Sequence, residues 1–127
     1  MNLTERYRAY IACLNERRWD DLGDFVADNV HYNGEPVGLT GYRAMLENDV
    51  STIADLRFDI DFLVVESPRV ASRLLFDCSP RGRFLGLDTY GKRITFSENV
   101  FYTFRDGRII SVWSVIDKAA VERALSS

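Results

Sequence analysis

KRITFSENVFYTFRDGRIISVWSVID, residues 92–117, reads as two strands folded back on each other. Apolar, β-branched and aromatic side chains recur at strand spacing over 92–105 and again over 108–117. Between the runs stands Asp106-Gly107, a pair that tolerates the positive φ demanded at both central positions of a tight hairpin turn. Upstream, from Arg57 onward, residues 57–65 and 69–79 carry the same strand character and join through Ser67-Pro68. Four antiparallel and mostly adjacent strands are expected.

Ahead of them the period is helical. Tyr7, Tyr10, Ile11 and Leu14 share one face of a first helix, with Thr4 as its expected cap and Glu5 in its first turn. Asp20 opens a shorter second helix through Leu22, Phe25 and Val26, ending near Asp28-Asn29. A short strand, 30–33, runs into the turn residues Gly34-Glu35-Pro36, and Thr40 begins a third helix carrying Tyr42, Met45, Leu46, Val50 and Ile53. After Asp117, the residues Ala120, Val121, Ala124 and Leu125 repeat at helical spacing. Helices segregated before a run of meandering strands indicate an α+β fold. The 127 residues are the size of one domain, 1–127.

Composition narrows the function classes. Apolar residues make up 46% and charged residues 28%, the proportions of an ordinary globular protein. The net charge of −3 and a pI near 5.1 offer no basic footprint for nucleic acid. The absence of a long apolar run or a signal-peptide core leads to the expectation of a cytoplasmic protein with no membrane partner. Cys13 and Cys78 stand far apart and His31 is the single histidine, so zinc is not expected and both thiols read as buried and inert.

Three motifs, in order along residues 28–117, resemble the SnoaL-like polyketide cyclase family within the nuclear-transport-factor-2-like superfamily. They are Gly38-Leu39-Thr40-Gly41-Tyr42-Arg43, the stretch from Gly82 to Lys92 (GRFLGLDTYGK), and Asp106-Gly107-Arg108-Ile109-Ile110 followed by Val112-Trp113-Ser114-Val115-Ile116-Asp117. The resemblance implies a cone-like curved sheet wrapped around three N-terminal helices, with a short C-terminal helix and a pocket for a small hydrophobic ligand. It also implies ring closure by aldol chemistry without metal or cofactor, through an acid/base side chain. This chain departs from the family pattern twice. Ser79-Pro80-Arg81 stands where many members carry a histidine, and Ser114 stands where many carry a carboxylate after the tryptophan. The epoxide-hydrolase branch, with an aspartate two residues beyond the tryptophan, is disfavoured by Val115.

Strand alternation places Ile109, Ser111, Trp113, Val115 and Asp117 on one face of the last strand, and that face is assigned to the pocket unless a bulge reverses part of it. Trp113 is then a ligand wall or plain core, and Asp117 an acid/base group at the rim or the cap of the final helix. His31 is the alternative acid/base group if it points inward beside Asn33; it points outward if Val30 and Tyr32 take the interior. Arg73 either faces the cavity, where it would bind a carboxylate or enolate, or pairs with Asp77 or Glu98. Glu98, Asp59 and Asp61 read as solvated sheet charges. Ser111, Tyr32 and Asn33 complete the expected binding residues. Two functions fit: a cofactor-independent cyclase or isomerase acting on a hydrophobic carbonyl compound, or a non-catalytic ligand-binding or dimerisation domain. Apolar residues on both sheet faces lead to the expectation of a homodimer through the sheet.

Overall fold

The computed structural model describes residues 1–126 and has the expected α+β architecture. Helix α1 (Leu3–Asn15) is capped by Asn2, whose side chain accepts from the Glu5 N–H at 2.8 Å, so the cap lies two residues before Thr4. The second helical segment is a 3₁₀ turn, Trp19–Asp24, rather than a longer α-helix. The chain leaves it early because strand β1 (Val26–Tyr32) is drawn into the sheet beside the last strand, a long-range pairing that overrides the local helical period. Helix α2 (Gly38–Thr52) follows, then β2 (Asp59–Glu66) and β3 (Arg69–Cys78). A two-residue ladder, β4 (Arg83–Phe84) with β5 (Leu87–Asp88), precedes β6 (Ile94–Arg105) and β7 (Arg108–Ile116), and helix α3 (Lys118–Ser126) follows β7.

The main sheet runs β1-β7-β6-β3-β2, with β1 parallel to β7 and every other pair antiparallel. Register shifts interrupt the β1–β7, β2–β3 and β6–β7 pairings, and such bulges bend a sheet and sharpen its twist. The inner, concave face packs against α1 and α2. Tyr7, Tyr10 and Leu14 of α1 and Tyr42 and Leu46 of α2 are buried against Val70, Leu74, Val100, Tyr102 and Val112 of the strands. The Tyr7 and Tyr102 rings sit 5.0 Å apart, and the Tyr10 and Tyr42 hydroxyls meet at 2.6 Å. Cys13 and Cys78 are buried free thiols. No described helix is long and apolar enough to cross a membrane.

The outer face differs. Phe62, Val64, Phe101, Trp113 and Val115 are each more than half exposed. The pairing register aligns Val64, Ala71, Phe101 and Trp113 in one row across four strands.

Candidate functional site

Helices and concave sheet do not close completely. Between them lies a cavity in two adjoining compartments of about 50 and about 130 Å³, both bounded by Tyr32, Met45, Asp49, Phe58 and Glu98. Tyr10, Tyr42 and Tyr102 wall the smaller compartment, and Phe76, Phe84, Phe96 and Ile116 the larger. Larger hollows, such as the one bounded by Ala119, Glu122, Arg123 and Ser126 and the one bounded by Arg17, Arg18, Asp20, Asp21 and Arg43, lie open on the outer surface.

Two carboxylates enter this aromatic space from opposite sides. Glu98 comes from β6, where Ile94, Phe96, Val100, Tyr102 and Phe104 share its strand parity and are all buried. Burial pushes its carboxyl above the usual glutamate range, a hydrogen bond from the Ser114 hydroxyl partly opposes this, and the negative charge of Asp49 adds to the rise. Asp49 comes from α2, one position along the stripe Tyr42, Met45, Leu46. Desolvation raises its carboxyl to about 6, although the residue keeps wide solvent contact at the cavity mouth. Burial likewise raises the phenols of Tyr10, Tyr32, Tyr42 and Tyr102, which stay protonated and act as O–H donors at neutral pH. Tyr10 and Tyr42 share one hydrogen bond between two hydroxyls, so one O–H of the pair is left to donate into the cavity.

Asp49 gives a stability prediction. A carboxyl whose folded pKa is raised takes up a proton on folding between about 4 and 6, so stability falls as pH rises through that window. Asp49→Asn should therefore melt higher than the wild type above pH 6, with the advantage gone by pH 4. Solvent contact at the mouth keeps the gain to about 1 kcal/mol or less. A thermal melt series from pH 4 to pH 8 reads the difference directly.

The SnoaL-like polyketide cyclase family model matches residues 4–125 of the chain. The chain belongs to that family. A SnoaL-like polyketide cyclase from Agrobacterium tumefaciens is 49% identical, with 98% of each chain covered and a TM-score of 0.97. TsrD from Streptomyces laurentii is 25% identical over 97% of this chain and 93% of its own, with a TM-score of 0.83. IdmH from Streptomyces antibioticus, at 16% identity, 98% coverage of each chain and a TM-score of 0.84, shares the fold. Among curated proteins no sequence matches the chain.

Against the SnoaL-like pattern, the structure redistributes the residues singled out from the sequence. A bulge at Ile110 sets Thr103 opposite Ser111 but Phe104 opposite Ile109. Beyond it the inward set on β7 is Val112, Ser114 and Ile116, while Trp113 and Val115 face outward; the face assigned to the pocket is thus corrected at those positions. Trp113 lies over Gly34, within 3.4 Å of where a Cβ would stand. Ser111 is half-buried beside His31 in the parallel pairing and lines neither compartment. His31 is exposed because Val30 is buried and Tyr32 turns inward, and its Nδ1 sits 3.1 Å from the Asn29 carbonyl. Asn33 clips β1 to β7, accepting from the Ser114 N–H at 2.8 Å and donating to the Ser114 carbonyl at 3.3 Å. Arg73 pairs with Asp61 at 2.6 Å, away from the cavity. Of the expected site residues, Tyr32 alone lines the cavity.

Asp117 caps α3, its carboxylate accepting from the Ala120 N–H at 3.1 Å, and it bounds neither compartment. Asp117→Asn should therefore leave turnover and stability nearly unchanged, since Asn caps as well as Asp, whereas Asp117→Ala should cost about 1 kcal/mol. Urea unfolding of the two variants separates them. The missed groups are Glu98 and Asp49, each placed where its element's apolar period calls for a core side chain.

Proposed function

We propose that the chain is a cofactor-independent cyclase or isomerase in which Glu98 moves a proton on a small hydrophobic carbonyl compound. The observation that carries this reading is a carboxyl of raised pKa held in an aromatic cavity, aimed there by Ser114 at the position where many SnoaL-like proteins carry their own carboxylate. In effect the family's acid has moved one strand over: β6 supplies the carboxylate and β7 the hydroxyl that holds it.

The chemistry follows from the lining. In its ionised form Glu98 takes a proton from the carbon beside the substrate carbonyl, and a tyrosine O–H donates to the oxygen on which negative charge develops. The resulting enolate carbon then attacks a second carbonyl, closing a ring, or is reprotonated elsewhere, completing an isomerisation. Glu98 returns its proton in either case, so no co-reactant is consumed. A raised pKa brings the carboxyl nearer the working pH, where it can both accept and donate. The reading is tested by incubating small ketones with the protein in D₂O and following loss of the α-proton signal by NMR: catalysed exchange supports it, and exchange at the buffer rate across the panel supports instead a binding domain without catalysis.

The outer sheet face supports a second element of the proposal, pairing with another copy of the chain. Its row of exposed apolar side chains has no covering helix among the described residues, and patches of this kind mark interfaces.

A further inference from the structure

The residues that bound the cavity are as informative for what they omit as for what they present. Around both compartments stand eight aromatic rings, from Tyr10, Tyr32, Tyr42, Phe58, Phe76, Phe84, Phe96 and Tyr102. Two carboxylates join them, and no lysine, arginine or histidine among the described residues lines either compartment. Glu98 has the Ser114 hydroxyl as partner, whereas Asp49 makes no side-chain ion pair among the described residues. Such a space repels carboxylates and phosphates. Aromatic faces beside an anion are, conversely, the surroundings that attract an organic ammonium, through the ring quadrupoles and the counter-charge together.

Size sets a second limit. An engineered apolar cavity of about 150 Å³ takes benzene. The larger compartment here, at about 130 Å³, has room for about one ring, and the smaller one for a short substituent.

On the reading of this cavity as the substrate site, we infer that Asp49 is the counter-ion for a protonated amine, and that the substrate is a carbonyl compound of about one ring in size that carries an ammonium group. Glu98 and Asp49 then divide the work. Glu98, deep on β6, handles the proton; Asp49, at the mouth on α2, binds and orients the cation. The division also gives Asp49 a reason to occupy a helix position where a charge lowers stability.

Three probes of one size and three charges test the assignment: benzylammonium, benzyl alcohol and benzoate, titrated calorimetrically against the wild type, Asp49→Asn and Glu98→Gln. The expected result is that wild type binds benzylammonium at least tenfold more tightly than benzyl alcohol and benzoate least of all. That preference should collapse in Asp49→Asn and persist in Glu98→Gln. The groups facing the ligand are Asp49 from α2, Glu98 from β6 and the phenols of Tyr10, Tyr32, Tyr42 and Tyr102. Burial raises both acids and holds the phenols protonated, and Asp49 is raised to about 6, so benzylammonium affinity should rise with pH through about 6, as Asp49 ionises. Equal or tighter binding of benzyl alcohol, no binding of any probe at millimolar concentration, or a preference that survives in Asp49→Asn would each overturn the inference. Failure of the acid/base reading shows separately, as unchanged turnover in Glu98→Gln whichever way these affinities fall.

Discussion

Glu98→Gln should keep the fold and the shape of the cavity while lowering turnover by about 10²–10⁴-fold, the usual worth of a general acid/base group. The amide preserves volume and can still meet the Ser114 hydroxyl, so the loss isolates basicity from packing. Stability should not fall, because the substitution removes a carboxyl that is desolvated in the folded state. Ser114→Ala supplies the companion measurement. The hydroxyl's hydrogen bond lowers the Glu98 pKa against the larger effect of burial, so deleting it should raise that pKa further and move the acidic limb of the pH–rate profile to higher pH. A merely structural role for Glu98 predicts neither result: its Gln variant would turn over substrate at the wild-type rate, and the Ser114→Ala profile would keep its shape.

The sequence made the architecture legible because its strongest signals were local and redundant. Asp106-Gly107 lies at the β6–β7 turn, and the Ser67-Pro68 connection lies between β2 and β3. The strand expected at 92–105 begins two residues later, at Ile94. What the sequence concealed was long-range. Nothing near Val26 announces that β1 will pair in parallel with β7, and one residue of bulge at Ile110 is enough to turn Trp113 from the expected pocket wall into an exposed outer side chain. The site was missed for a different reason. By residue type Glu98 is an ordinary solvated sheet charge, yet ITFSENVFYTF places it alone among Ile94, Phe96, Val100, Tyr102 and Phe104 on one parity. Asp49 follows Tyr42, Met45 and Leu46 at helical spacing in the same way. A charge that interrupts an otherwise apolar period is costly to fold and so points to a site. Asp117, by contrast, sits between a strand and a helix, where a carboxylate has an ordinary task as a cap.

A charge introduced at the centre of the outer face should give the largest change in assembly. Phe101 stands in the middle of the row Val64, Ala71, Phe101 and Trp113, on strand β6 with β3 and β7 to either side. A two-fold axis through such a row would set each copy's aromatic side chains against the other's, the self-complementary arrangement of an isologous dimer. Phe101→Asp would then place two like charges in an apolar contact, where burying each unpaired carboxylate costs several kcal/mol. The dissociation constant should rise by at least 100-fold in the variant, which sedimentation or light scattering at micromolar concentration would report as a dimer for the wild type and a monomer for Phe101→Asp. The monomer should stay folded, because Phe101 is 61% exposed and contributes little to the core between sheet and helices. A wild-type chain that is monomeric at micromolar concentration, or a Phe101→Asp chain that remains dimeric, would remove the outer sheet face as the interface and leave its apolar row without a second copy to cover it.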